Sequence, residues 1–368
     1  MLSIIKYIFI IAIYIFETGD LYMFLTLKLK KPIIAAISLI VMAIFVWGTF
    51  FVQAQSSDRK EKDFIKWVDF NVPHSLLQDA LEVDITSYNG NSTKEIDWIE
   101  LISYMAAKCG GDFKNYKISQ LKDLVSKLEN GETIESLTNS MEYYDYYFEA
   151  YSAVLGGMVG EYEIKNEAGE WEQRYGLKAF LPIAKAFPYS DFDDFGNSRS
   201  YGYNRKHFGH DMMAQVGTPV IAIESGTIES MGWNQYGGWR MGIRSFDGKR
   251  YYYYAHLRQN RPFTEGLKEG EVIQAGDVIG YVGRTGYSET ENTNGIKINH
   301  LHVGLQLIFD ESQKESDNEI WIDIYDIIKF LRSNQSPTIR NAETKEHIRA
   351  VEFREKVPKE RFIPPKSE

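Results

Sequence analysis

Five of the seven histidines in this 368-residue chain fall into three short clusters. His207, His210 and Asp211 belong to the first cluster, His256 lies alone in the second, and His300 and His302 form the third. Histidine is the commonest metal ligand in proteins and the usual proton carrier near neutral pH. The clustering therefore predicts the site of a metal-dependent hydrolase.

The spacing of these residues favours a catalytic zinc site, which takes three His, Asp or Glu ligands and leaves one position for water. Residues two apart in a strand point to the same face, so His300 and His302 should face one side of a sheet. His207 and Asp211 are four apart and can share a face in the same way. His207, Asp211 and one of the later pair thus fit a zinc shell, and His256 can reach the same pocket from a neighbouring strand.

An ordered series of motifs makes this reading specific. In chain order the motifs are His207-x-x-x-Asp211, Gly217–Val220, Gly226–Ile228, Tyr236–Gly238, Tyr254–Leu257, Gly276–Gly280, Gly283–Gly286 and His300–His302. A lone His-x-His is weak evidence, whereas a set in this order over a third of the chain is strong. With these motifs the chain from about 195 to 310 resembles the lysostaphin/LytM type of zinc peptidases, the M23 metallopeptidases that cut peptidoglycan peptides.

The resemblance implies a fold and a ligand set. It implies an antiparallel all-β peptidase domain, similar to a duplicated hybrid motif, at residues 170–333. Carried over by position, it makes His207, Asp211 and His302 the ligands of one Zn²⁺ ion per chain. The substrate class it implies is peptidoglycan peptides.

The resemblance also implies the residues that handle protons. His256 and His300 become the unliganded pair beside the water, where a neutral imidazole can accept a proton and later return it. A tyrosine hydroxyl upstream of the first ligand assists in such peptidases, and Tyr201 or Tyr203 holds the matching position. His210 departs from the family pattern; as the direct neighbour of the aspartate it should point to the opposite face, so we predict a non-ligand.

The N-terminus is predicted to lie outside the folded body. The run Ile33–Val52 is almost wholly apolar and long enough, as a helix, to cross a bilayer core of about 30 Å. Lysines at 28, 30 and 31 precede it, which predicts a cytoplasmic segment at 1–31, a single-pass anchor at 32–54 and an extracytoplasmic body at the cell membrane. The alternative is a secreted protein cleaved near Ala54. Translation from Met23 would leave out residues 1–22.

Between this segment and the β domain, residues 58–165 are predicted to form a small all-helical domain. Apolar residues recur at threes and fours over 96–106 and 121–128. A third segment, 141–155, is rich in aromatic residues and is either a helix packed between neighbours or a sugar-stacking surface.

The later chain reads as short antiparallel strands that follow a hairpin signal at Asn166–Gly169. A short helix is predicted at Trp321–Leu331, and a polar flexible tail at 334–368. The fold class is therefore α+β and multidomain, with a transmembrane helix, an all-α domain and an all-β peptidase domain.

The composition limits the classes of molecule that this chain is expected to bind. The net charge of −10 and the pI near 5.4 argue against nucleic acid. The single cysteine, Cys109, excludes a disulfide framework within the chain and a multi-cysteine zinc site. The remaining partners are peptidoglycan peptides, the membrane through the N-terminal helix, and cell-envelope proteins through the helical domain.

Two functions from different classes fit these features. The first is a zinc endopeptidase that hydrolyses cross-links or stem peptides of peptidoglycan by metal-activated water. The second is a catalytically silent scaffold or activator that binds other cell-wall or envelope proteins. All five key positions are filled, which favours the enzyme. The polar loop Tyr287–Asn299 either selects the substrate or is a solvated surface loop, and carbohydrate binding by residues 141–151 is a weaker third reading.

Overall fold

The computed structural model describes residues 64–91, 94–201, 203–314 and 316–364. It also describes two short strands nearer the N-terminus, β1 (Phe9–Ile10) and β2 (Thr26–Leu27), which pair antiparallel. The predicted anchor at 32–54, the alternative cleavage site near Ala54 and the rest of the first 63 residues lie outside the described positions. Among the helices that are described, none has the length and apolar character needed to cross a membrane.

Residues 74–155 are largely helical, as the apolar spacing predicts. The helices here are α1 (His74–Thr86), α2 (Trp98–Cys109), α3 (Ile118–Glu129), α4 (Ile134–Thr138) and α5 (Tyr144–Leu155). Helix α2 shows which residues make such a helix begin and end where it does. The Asp97 carboxylate accepts hydrogen bonds from the first free backbone N–H groups, and Gly110 ends the helix at a φ of +64°.

The tyrosine-rich segment is helix α5, and it packs into the body. Tyr151 is 1% exposed. Tyr144, Tyr146 and Tyr147 are partly buried against the same core, while Tyr143 and Phe148 are exposed. This arrangement favours the packed helix over an open sugar-stacking surface.

The rest of the chain is mostly β-structure and contains one further helix, α6 (Tyr325–Leu331). Its strands, within the described residues, are β3 (Val159–Lys165), β4 (Trp171–Leu177), β5 (Tyr189–Asp191), β6 (Ser198–Tyr201), β7 (Tyr203–Lys206), β8 (His210–Ala214), β9 (Pro219–Ile221), β10 (Gly226–Asn234), β11 (Gly238–Ser245), β12 (Arg250–Ala255), β13 (Val272–Ile273), β14 (Val278–Tyr281), β15 (His300–Leu307), β16 (Ile320–Ile322), β17 (Thr338–Arg340), β18 (His347–Arg349) and β19 (Phe353–Arg354).

One antiparallel sheet dominates the described part of the chain. Its order is β13–β10–β11–β12–β15–β8–β5, and β16 also pairs with β15. Strands β9 and β14, β6 and β7, and β17 and β18 form pairs, while β3 lies between β4 and β19. The prediction of an antiparallel β region after an N-terminal helical region is confirmed. On β12, Tyr252 and Tyr254 are buried in the core, whereas Tyr251 and Tyr253 alternate to the other face and line a groove.

Two local predictions differ from the structure. The predicted helix Trp321–Leu331 begins only at Tyr325, because Ile320–Ile322 pairs with β15 and the Asp323 carboxylate then accepts the N–H of Tyr325. The predicted flexible tail is instead ordered as far as residue 364. Its strand β19 pairs with β3 and buries Phe353, an aromatic side chain within a mostly polar stretch.

The helices and the sheet share one core, since the chain from Phe64 onward forms a single compact unit. A buried arginine joins the two layers. The guanidinium of Arg250 donates to both carboxylate oxygens of Glu224, at 2.8 and 3.1 Å, and to the carbonyl of Ala153 near the end of α5, at 2.8 Å. Arg250 is 2% exposed and Glu224 is 5% exposed, so the pair lies out of contact with water.

Candidate metal and catalytic site

Three adjacent strands bring the predicted site residues together. On β15, His302 pairs directly with Asp211 of β8 and, on its other side, with Ala255 of β12. His256 follows that alanine immediately, and His207 lies in the turn that leads into β8. Backbone pairing in the sheet therefore sets the positions of residues that are far apart in sequence.

The predicted ligand atoms converge on one point. Nε2 of His207 lies 3.0 Å from Oδ1 of Asp211 and 2.9 Å from Nδ1 of His302, and the latter two atoms are 3.0 Å apart. Among the described residues, this triad is the only group of three with the reach to hold a metal ion. The turn can approach so closely because a Cβ at Gly209 would lie 2.5 Å from Cε1 of His302.

The donor set fits zinc. Two imidazole nitrogens and one carboxylate oxygen form a three-ligand set of the kind that catalytic zinc takes. Tetrahedral bonds of about 2.0–2.1 Å place ligand atoms roughly 3.3 Å apart, so the triad needs only a slight expansion. Two imidazole nitrogens at 2.9 Å also require a proton or a cation between them, because their lone pairs repel.

Two residues outside the predicted set hold the triad in place. Nδ1 of His207 lies 3.1 Å from both the backbone oxygen and the carboxylate of Asp194, which is 1% exposed. Both partners only accept hydrogen bonds, so Nδ1 carries a proton and Nε2 is the nitrogen left to bind a metal ion. The guanidinium of Arg199 bridges Asp194 at 2.6 Å and the second oxygen of Asp211 at 3.1 Å.

The charge state of the triad follows from these contacts. Burial acts to raise the pKa of Asp211, but hydrogen bonds from His207 and His302 outweigh it and hold the pKa far below its ordinary value. Burial likewise acts to lower the pKa of His207, but the carboxylates of Asp194 and Asp211 raise it to about 9. The site thus keeps an ionised carboxylate at its centre, which attracts a cation.

His256 and His300 lie beside the triad, and each ring is hydrogen-bonded to a backbone carbonyl. Nδ1 of His256 lies 3.0 Å from the carbonyl of Thr285, and Nδ1 of His300 lies 2.8 Å from that of Ile298. Because a carbonyl only accepts, each Nδ1 carries the proton and each Nε2 is free to accept one. The two rings are 4.8 Å apart, and Nε2 of His300 is 3.7 Å from Oδ1 of Asp211.

The backbone of His256 shows how firmly it is placed. Its φ of +60° lies in the left-handed region that non-glycine residues rarely adopt. Its N–H donates to the carbonyl of Gly237 at 2.7 Å, and its ring is anchored to Thr285. Burial and the neighbouring histidines lower the pKa of His256 well below the ordinary value, so its imidazole is neutral at pH 7.

His210 lies on the other face of β8, as its position next to Asp211 predicts. It is 1% exposed, and its Nε2 lies 3.0 Å from the carboxylate of Asp191. Arg332 donates to the other oxygen of that carboxylate at 2.7 Å. His210 is therefore not one of the convergent ligands, but its Nδ1 lies 4.0 Å from the carboxylate of Asp194, which supports the triad.

Tyr201 and Tyr203 are the two candidates for the assisting hydroxyl. Tyr201 lines the groove and stacks on Tyr287, with ring centroids 4.5 Å apart, and that second ring lies 6.0 Å from His256. The structure describes the backbone of Tyr203 on β7 but not its side chain. A catalytic role for either tyrosine stays a prediction.

An open groove of about 1050 Å³ runs across the triad. It is lined on one side by the hairpin β6–β7 and on the floor by β11, β12 and β15. The loop Tyr287–Asn299 also contributes through Ile296, Lys297 and Ile298. A role for this loop in selecting substrate remains a prediction.

The region that holds this site is similar to known peptidases. Residues 205–315 match the model of peptidase family M23. An L-Ala--D-Glu endopeptidase of Bacillus subtilis is 40% identical over 131 residues, 35% of this chain and 38% of that protein. The glycyl-glycine endopeptidase ALE-1 of Staphylococcus capitis is 37% identical over 99 residues, 24% of this chain and 26% of that protein. The chain thus spans less than two fifths of the length of these relatives.

A similarity to solved structures was also found. The catalytic domain of lysostaphin from Staphylococcus simulans is 30% identical, with a TM-score of 0.29. The match covers 38% of this chain and 92% of that one.

Proposed function

We propose that this chain, which carries a domain of peptidase family M23, is a zinc-dependent endopeptidase that hydrolyses peptide bonds in peptidoglycan. The observation that carries the proposal is the complete set of three convergent ligand atoms beside two imidazoles with free Nε2 atoms. The relatives named as endopeptidases support it. Whether the bond lies in cross-links or in stem peptides is left to experiment.

The triad would hold the metal through Nε2 of His207, Oδ1 of Asp211 and Nδ1 of His302. When bound, zinc supplies a Lewis acid that makes water acidic near neutral pH and polarises a peptide carbonyl. Asp194 and Arg199 keep His207 and Asp211 in the orientation needed for binding.

His256 and His300 would move the proton. A neutral imidazole accepts the proton of the attacking water at Nε2, while Nδ1–H stays bonded to the Thr285 or Ile298 carbonyl. The resulting imidazolium can donate to the developing oxyanion and then return the proton to the leaving amine. The lowered pKa of His256 keeps its imidazole unprotonated at the start of the reaction.

Digestion of purified peptidoglycan tests the proposal. The full-length chain should release peptide fragments, and mass analysis of their ends identifies the bond cut. The chelator-treated chain should be inactive and should regain activity with Zn²⁺. The L-Ala–D-Glu bond is the first to examine, because the similar Bacillus subtilis protein is named for it. Intact peptidoglycan after incubation with the zinc-loaded chain would refute the proposal.

Replacing either proton-handling histidine should separate metal binding from catalysis. We expect His256→Ala and His300→Ala to keep about one zinc per chain, yet to lower cleavage by about 10²–10⁴-fold, the usual contribution of general acid–base catalysis. Metal analysis and fragment release measure the two effects. His347→Ala is the matched control, because that histidine lies outside the triad and contacts Thr338. Normal turnover in both variants would rule out the proton role.

The alternative function is a silent scaffold that binds other envelope proteins. It predicts the same zinc content with no fragment release, so the digestion experiment decides between the two. The proposal also includes an extracytoplasmic body, which rests on the apolar run Ile33–Val52 and the lysines before it. Cleavage of the body by a protease added to intact spheroplasts tests that location.

A further inference from the structure

The groove differs in charge from the chain as a whole. The chain carries a net charge of −10, yet the charged residues that line the groove are mainly cations. The cations are Arg199, Arg205, Lys206, Arg240, Lys297 and Lys314, and the carboxylates are Asp211 and Glu319. A bound zinc ion would add to this excess, so the groove suits an anionic occupant.

Four of these cations have no carboxylate partner in the described part of the chain, and two of the four, Arg205 and Arg240, are partly buried. Arg199 is paired with Asp194 and Asp211, and Lys314 with Glu229. In contrast, the ion pairs of the described residues include neither Arg205 nor Arg240. Partly buried guanidinium groups without a counter-ion are costly unless an anion binds to them.

Arg205 is held in position by aromatic rings. Its guanidinium lies 5.5 Å from the ring centre of Tyr236 and 5.3 Å from that of Tyr287. It donates to the Tyr287 hydroxyl at 2.9 Å and to the Tyr201 carbonyl at 3.2 Å. A guanidinium has five N–H groups, so these contacts leave further donors of a groove-lining residue available for the oxygen atoms of a ligand.

Arg240 lies level with the metal triad on the sheet. On β11, Arg240 precedes Met241, which pairs with Tyr254 of β12. Ala255, which follows Tyr254, pairs with His302 of β15. Arg240 is thus two strands from the triad, about 10 Å at ordinary strand spacing. Its Nη1 donates to the Ser230 hydroxyl at 2.9 Å, which leaves most of its donors available.

Both arginines act on the same part of the groove. Burial raises the pKa of Tyr253, and the charges of Arg240 and Arg205 act against that rise. The Tyr253 ring lies 5.9 Å from that of His302. Arg205, Arg240 and Tyr253 all line the groove, and Tyr253 itself borders the triad.

A buried amide farther along the floor of the groove also lacks an acceptor. Gln306 is 2% exposed and lines the groove, and its Nε2 has no hydrogen-bond partner among the described residues. It lies four residues beyond His302 on β15, so both side chains are on one face of the strand. A buried donor without a partner is rare and indicates a missing acceptor.

We propose that Arg205 and Arg240 form a carboxylate-binding subsite that holds the substrate peptide through a free carboxylate beside the scissile bond. The inference rests on the proposed function, since it names a feature of that substrate. Paired guanidinium groups match the two oxygens of a carboxylate, and a carboxamide at the same position would lose both the charge and one acceptor.

A matched pair of peptides tests this subsite in the full-length, zinc-loaded chain. Both contain an L-Ala–D-Glu bond, one with a free α-carboxyl on the glutamate and the other with a carboxamide there. We expect kcat/KM to be about tenfold or more higher for the carboxylate peptide, because charge-assisted hydrogen bonds are roughly twice as strong as neutral ones. Arg205→Gln and Arg240→Gln should each reduce this ratio toward one by slowing only the carboxylate peptide.

Two controls keep the test specific. Arg174→Gln makes the same change at an exposed arginine outside the groove, and the ratio should stay at its original value. Arg240→Lys retains the positive charge but not the paired N–H donors of a guanidinium, so it should keep part of the preference in kcat/KM for the carboxylate peptide. Equal cleavage of the two peptides by the unaltered chain, or an unchanged ratio in both glutamine variants, would overturn the subsite while leaving the proposed function intact.

Binding to the metal-free chain separates the two proposals. Calorimetry should show tighter binding of the carboxylate peptide, and that preference should be lost in the arginine variants. If neither peptide nor peptidoglycan is cut, the proposed function fails, and this binding preference still supports the subsite. Equal binding of both peptides would overturn it.

Discussion

His207→Ala is expected to lower the zinc content of the purified full-length chain from about one ion to nearly none. Cleavage of peptidoglycan should fall by about a thousandfold or more, since the metal provides both the acidic water and the polarised carbonyl. The structural reason is that Nε2 of His207 lies within 3.0 Å of both other ligand atoms, so its loss opens one side of the triad. Elemental analysis after dialysis and fragment release measure the two effects.

A second histidine serves as the control for this variant. His74 contacts Asp326 at 2.9 Å, far from the groove, and His74→Ala should keep zinc and activity. Arg199 and Asp194 remain in the His207 variant, so the surrounding fold should persist, which circular dichroism can verify. Full zinc retention by His207→Ala would show that the ligand assignment is wrong.

Arg250→Met is expected to lower the free energy of unfolding by about 3–5 kcal/mol, the usual cost of removing one partner from a buried ion pair. The variant leaves the Glu224 carboxylate buried without its guanidinium, and it also removes the donor to the Ala153 carbonyl. The hydroxyl of Tyr252 still donates to Glu224 at 2.8 Å but cannot supply a charge. Urea denaturation followed by tryptophan fluorescence measures the change.

An exposed arginine gives the matched comparison. Arg174→Met breaks a pair with Glu172 on the surface hairpin β3–β4, where water replaces the lost contact, so the denaturation midpoint should hardly move. If Arg250→Met behaved like this control, the buried pair would not be a major source of stability. Zinc content should be measured in parallel, because the variant lies outside the groove and should still bind metal when folded.

The candidate ligands were predicted from the sequence in two steps. Spacing brought together His207, Asp211 and one of His300 and His302, and the resemblance to M23 peptidases singled out His302. The strands themselves were marked by β-branched and aromatic runs between turn residues, as at β11 and β12.

Residues that support the site could not be predicted in the same way. Asp194 and Arg199 reach the triad only through the fold of the hairpin β6–β7, and neither lies in a local pattern that marks a metal site. Arg205 and Arg240 resemble other surface arginines in the sequence, and only the ion pairs of the folded chain distinguish them. The order of the C-terminal stretch was missed for a similar reason, since Phe353 finds its partner strand almost two hundred residues away.

The shared core and the Arg250 contact bear on how this peptidase domain can be reused in engineered proteins. A catalytic unit grafted onto a new targeting module would need to keep α5, because excising the helices would strip the Ala153 carbonyl from Arg250 and uncover apolar surface on the sheet. The practical junction for such chimeras lies before Phe64, where the compact unit begins, rather than at the helix-to-strand boundary near residue 158.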